Sequence, residues 1–131
     1  MSQDRYKPAS LQPVDGVDVL ELRPGDSWPE LHGFVRKGVY RGVSVEGEGA
    51  LRIADLFRKL PEGEQMRCHV PRYGVRFRRG ERVLAEFSLC FKCNNAFGYV
   101  KDDEASFVFD GQKEPSQSLL AAVKDVMATH S

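Results

Sequence analysis

Two runs of alternating apolar and polar residues meet across a glycine-containing turn in the middle of the chain, and they limit the fold more than any other feature. Gly74-Val75-Arg76-Phe77-Arg78 and Glu81-Arg82-Val83-Leu84-Ala85-Glu86-Phe87-Ser88-Leu89-Cys90-Phe91 flank Arg78-Arg79-Gly80-Glu81, the pattern of a β-hairpin. Because side chains alternate between the two faces of a strand, Val75 and Phe77 share a buried face with Val83, Ala85, Phe87, Leu89 and Phe91. A short loop then allows two registers. In one, Cys68 stands directly opposite Cys90; in the other, Val70 does and Cys68 lies one step diagonal. Both put Cys68 and Cys90 on one face, about 5 to 8 Å apart at Cβ. Pro71 interrupts this geometry, since proline removes a ladder hydrogen bond and favours a bulge.

The rest of the chain reads as elements packed around that hairpin. Residues 1–16 are polar and carry Pro8 and Pro13, the pattern of a flexible arm, and residues 17–131 form one domain. Val17 to Leu22 is a strand, followed by a type II turn at Pro24-Gly25 and by Trp28, a core plug or a stacking surface. Gly33 to Glu46 divides into short strands at Phe34 to Lys37 and Val39 to Val45. Ala50 to Leu60 is an amphipathic helix with Ile53, Leu56, Phe57 and Leu60 on one face. A second hairpin spans Ala96 to Val100 and Ala105 to Phe109. A last helix runs from about Ser116, a candidate cap, to Ala128. Strands, helix, antiparallel strands, helix is an α+β order: an antiparallel sheet with two helices packed on it.

Composition narrows the setting. The chain is 41% hydrophobic and 29% charged, and its 19 basic and 19 acidic residues cancel, so overall charge points to neither nucleic acid nor membrane. No apolar run is long enough for a membrane span. Three cysteines, an odd number, with no signal-peptide pattern, fit a reducing cytoplasm.

Three constellations carry candidate chemistry. Cys68, His69, Cys90 and Cys93 hold the residue types of a zinc site, and the two-residue spacing of Cys90-Phe91-Lys92-Cys93 lets both sulfurs reach one ion if the chain turns there. His69 could join only if Pro71 distorts its strand. The plainer reading of the same residues is buried free thiols, which behave as small hydrophobes, and a disulfide or redox pair is the other alternative. A thioredoxin-like site fits less well, since Asn94 to Tyr99 is a turn and a strand, with no helix N-terminus to lower a thiol pKa.

The second constellation is basic. Arg67, Arg72, Arg76, Arg78, Arg79 and Arg82 stand against Glu81 alone, and Arg76, Arg78 and Arg82 alternate onto the solvent side of their strands. Arginine without lysine favours bidentate contact with carboxylates or phosphates. A solvated, charge-protected sheet edge is the plainer reading. An acidic protein partner is preferred to nucleic acid because aromatic interleaving is thin. The third, Asp102, Asp103, Glu104, Asp110 and Glu114, reads as a solvated turn.

Cys68-His69-Val70-Pro71-Arg72-Tyr73-Gly74-Val75-Arg76-Phe77 followed by Leu89-Cys90-Phe91-Lys92-Cys93 resembles a pattern in small bacterial proteins without an established activity. Lys92 stands where that pattern more readily has an acid. The resemblance implies that Cys68, Pro71, Arg72, Cys90 and Cys93 belong together, and it brings no mechanism. The expected function is non-catalytic: a small cytoplasmic, immunity- or inhibitor-like module binding an acidic protein through Arg72, Arg76, Arg78, Arg79 and Arg82, with no cofactor. Charge reversal at Arg76 and Arg78 is then expected to abolish binding and spare the fold. The alternative is a protein that uses Cys68, Cys90 and Cys93 for one structural zinc or for thiol redox chemistry.

Overall fold

The computed structural model describes residues 5–23, 30–64, 66 and 68–130. Its frame is a six-stranded, wholly antiparallel sheet of β1 (Gly16–Leu22), β2 (Val39–Glu46), β3 (Tyr73–Arg79), β4 (Arg82–Cys90), β5 (Asn95–Val100) and β6 (Asp103–Val108), in the order β2-β1-β3-β4-β5-β6. Two helices, α2 (Gly47–Arg58) and α3 (Ser116–Thr129), cover one face. This is the α+β architecture that the pattern predicts. Trp28, Arg67 and the Pro24-Gly25 turn lie outside the described residues.

The main core forms between sheet and helices. Val17, Val19, Val75, Phe77, Ala85, Phe87 and Leu89 point from the strands toward Ala50, Ile53, Ala54 and Phe57 of α2 and Leu119, Val123 and Met127 of α3. These helical residues recur every three or four positions, so each helix buries one stripe. The expected flexible arm behaves differently over its described part. Tyr6 donates its amide to Ser106 O at 2.8 Å and packs its ring 5.0 Å from Phe87, while Leu11 and Val14 are buried. Ser116 does not cap α3; its hydroxyl donates to Asp110 O at 2.6 Å.

The opposite face carries a second, smaller layer. Phe34 to Lys37, expected as a strand, is a helical turn, α1 (Phe34–Lys37), whose Phe34 and Val35 bury Leu20 and Leu22. Gly74 lets β3 lie close to β4 beneath this layer, since a Cβ there would meet Phe87 O at 2.9 Å. β1 is therefore apolar on both faces, which the run Val17-Asp18-Val19-Leu20-Glu21-Leu22 already hints at.

The central hairpin forms with a different register. Gly80, at φ +62, and Glu81 make a two-residue turn, so Arg79 pairs with Arg82 and Arg78 with Val83. That odd offset would set Phe77 on the face opposite to Ala85. A bulge at Leu84 absorbs one residue, restores the parity and pairs Phe77 with Ala85 and Arg76 with Glu86. Val83, expected inside, is consequently 37% exposed.

Candidate functional site

β3 begins at Tyr73, beyond Pro71, so Cys68 never enters the ladder opposite Cys90. Residues 59–72 instead leave α2 and cross over the β4–β5 turn. There Cys68 is bonded to Cys93, with their Cα atoms 5.6 Å apart, and Cys90 is a buried free thiol. The expected closeness of Cys68 and Cys90 is thus corrected: β4 ends at Cys90, and the partner comes from the turn three residues on. Cys68 is exposed and Cys93 is 2% exposed.

His69 follows the bridge into a polar pocket of the sheet. The Asn95 amide Nδ2 donates to Cys68 O at 2.7 Å and Met66 O at 3.3 Å, which turns its Oδ1 toward His69. Nδ1–H of His69 therefore donates to Asn95 Oδ1 at 2.7 Å, leaving Nε2 to accept from the Ser88 hydroxyl at 2.8 Å. Phe97 O lies 3.0 Å from the same hydroxyl, whose single hydrogen serves either Nε2 or that carbonyl. Phe97 and Phe34 pack edge-on to the ring at 4.7 and 6.1 Å. Burial holds the His69 pKa below its ordinary value; the Asn95 bond opposes this and the charge of His32 adds to it.

Ser88, His69 and Asn95 have the connectivity of an acyl-transfer triad. Ser88, however, has no solvent exposure, so a substrate carbonyl does not reach its oxygen in this conformation. What the network does is hold residues 66–69 on the sheet. Of the expected zinc set, Cys68 and Cys93 share a bond, both imidazole nitrogens of His69 are hydrogen-bonded, and Cys90 is a buried free thiol. Among the described residues no three His, Cys, Asp or Glu side chains gather as a metal site.

The arginines divide into paired and free. Arg76 meets Glu86 at 3.3 Å and Asp18 at 3.8 Å, and Arg78 meets Asp18 at 3.0 Å. Glu86 also takes Arg36 at 2.8 Å, and Arg36 reaches Asp102 at 2.7 Å. Three guanidinium groups thus meet three carboxylates, and this part of the expected arginine face is internally neutralised. Arg72, Arg79 and Arg82 are exposed and have no acidic partner among the described residues. They do not form one patch: Arg72 precedes β3 and Arg79 ends it, roughly 23 Å apart at strand rise.

Arg72 lines a cleft of about 490 Å³ with Glu21, Leu22, Arg23, Val70, Pro71 and Tyr73. Val70 is 58% exposed. Arg23 bonds Glu21 at 3.1 Å and stacks 3.4 Å above the ring of Tyr40, itself 56% exposed. Sequence reasoning missed Arg23, Arg36, Tyr40, Glu86 and Asn95. Glu86 alone left a signal, the single acid of β4, and only the bulged register sets it opposite Arg76.

Comparison with protein-family models, with curated proteins and with solved structures finds no match to this chain. Among the described residues no helix is long and apolar enough to cross a membrane.

Proposed function

We propose that this chain is a non-catalytic binding module that recognises an acidic protein partner, in the manner of an immunity or inhibitor protein, through the surface around Arg72. The observation that carries this reading is Arg72, without an acidic partner among the described residues and set in a cleft beside exposed Val70 and the Arg23–Tyr40 stack. Arginine, tyrosine and an exposed aliphatic in one concavity is the composition of interface anchors, and an unpaired guanidinium offers bidentate contact to a partner carboxylate. Arg79 and Arg82, directly opposite each other at the hairpin tip, add long-range attraction to acidic surfaces. Arg76 and Arg78 drop out of the contact set, because their charges are already met by Asp18 and Glu86. The bridge favours an oxidising setting over the cytoplasm to which the cysteine count pointed.

Affinity capture from the source cell tests the reading. Wild type and Arg72→Glu are compared by quantitative mass spectrometry, with far-ultraviolet circular dichroism to confirm equal folding. An acidic protein retained by wild type and lost with Arg72→Glu supports the proposal. An identical captured set for both refutes it.

A further inference from the structure

Among the described residues between α2 and β3 none joins a strand; Leu60 packs on the main core and Pro71 is buried, while Met66 is 50% exposed and Val70 58%. What ties Glu64, Met66, Cys68 and His69 down is concentrated at one place. Met66 N donates to Cys93 O at 3.2 Å, Asn94 Nδ2 donates to Glu64 O at 3.0 Å, and Asn95 and Ser88 hold Met66, Cys68 and His69. The Cys68–Cys93 bridge is the covalent member of that set, and its two ends differ: Cys68 is exposed and Cys93 buried. In sequence the bridge is flanked by the basic residues Lys92, beside Cys93, and Arg72, four residues after Cys68.

We infer that Cys68–Cys93 is a latch opened by a low-molecular-weight anionic thiol of the glutathione class, and that its state sets the position of Val70 and Arg72. The inference rests on the Arg72 binding reading. The external thiolate attacks Sγ of Cys68, the exposed residue of the pair, forming a mixed disulfide. The electron pair of the old bond leaves on Cys93 Sγ, which takes up a proton. A second thiolate then attacks the external sulfur, Cys68 leaves as a thiolate and is protonated, and the two external thiols depart as their own disulfide. The bridge is reduced by two electrons and the external thiols are oxidised by two. With the bond open, Met66, Cys68 and His69 are held by hydrogen bonds with a net worth of about 1 kcal/mol each and by the edge-on packing of the His69 ring on Phe34 and Phe97, so this stretch loosens while the sheet stays intact.

The test treats the folded, oxidised protein with reduced glutathione and follows it by peptide mapping and amide hydrogen exchange. Expected are a mixed disulfide on Cys68 alone and exchange at Met66, whose amide donates to Cys93 O, at least about tenfold faster, with Val75 to Phe87 unchanged. Cys93→Ser, open without added thiol, reproduces the faster exchange. An adduct formed only in denaturant, an adduct on Cys93, unchanged exchange after opening, or recombination of Cys93 with Cys90 overturns the latch. Arg72→Glu with the bridge intact tests the binding reading separately, so the two fail independently.

Discussion

Arg76 and Glu86 face each other across β3 and β4, Nε to Oε1 at 3.3 Å, and the second oxygen of the same carboxylate takes Arg36 at 2.8 Å. One nearly buried carboxylate thereby joins the hairpin to α1. The arginine face reads as a free cationic surface in sequence because its acids, Asp18 and Glu86, lie far along the chain or in the next strand.

Glu86→Gln is expected to destabilise the fold by roughly 1–3 kcal/mol. Glu86 is 5% exposed, so its loss leaves two guanidinium groups without their shared anion, while their own partial exposure softens the cost. Urea unfolding measures this directly. Arg76→Glu is expected to behave similarly, through repulsion with Glu86 and Asp18, so the charge reversal that sequence alone proposes as a binding test reports on stability.

Removing the bridge by Cys68→Ser together with Cys93→Ser is expected to cost about 3 kcal/mol, the loop-closure entropy of a cross-link spanning 25 residues. Thermal unfolding with and without reductant checks it: wild type in reductant approaches the double variant, and the double variant does not respond to reductant.

Stability is expected to fall with acid through His69. Its folded-state pKa is lowered, mainly by burial, from 6.5, so both states are neutral above that value. As pH drops below about 6.5 the unfolded chain takes up the proton first. Stability is therefore full above about pH 6.5 and is lost progressively until the lower folded value is passed. Denaturant midpoints across that window measure the slope, and His69→Gln is expected to flatten it.

Arg41 joins an edge strand to a helix end. Its guanidinium donates to Met127 O at 2.9 Å, to His130 O at 3.2 Å and to Glu21 at 3.0 Å, completing carbonyls that the last turn of α3 leaves open. Arg41→Ala is expected to cost roughly 1–2 kcal/mol and to speed amide exchange over the last turn of α3.

Much of the fold is legible in sequence because period decides it: Ile53 and Phe57, or Val75 and Phe77, can each bury one stripe in only one kind of element. The site is less legible. Whether Cys68 meets Cys90 or Cys93 depends on where β3 begins, and Pro71 settles that through a missing amide rather than through pattern. Whether Arg76 is free depends on a bulge at Leu84, a one-residue event that alternation alone does not display. Phe34 to Lys37 follows Gly33 and reads as a strand, yet it becomes a helical turn because both faces of β1 need cover.

The association rate of the captured acidic partner, measured against ionic strength for wild type, Arg72→Glu and the pair Arg79→Glu with Arg82→Glu, tests the central claim most directly. The account predicts a wild-type rate that falls steeply with salt, a slower and flatter rate when Arg79 and Arg82 are reversed, and loss of binding with Arg72→Glu. Unchanged affinity for Arg72→Glu, with its fold intact, would contradict it.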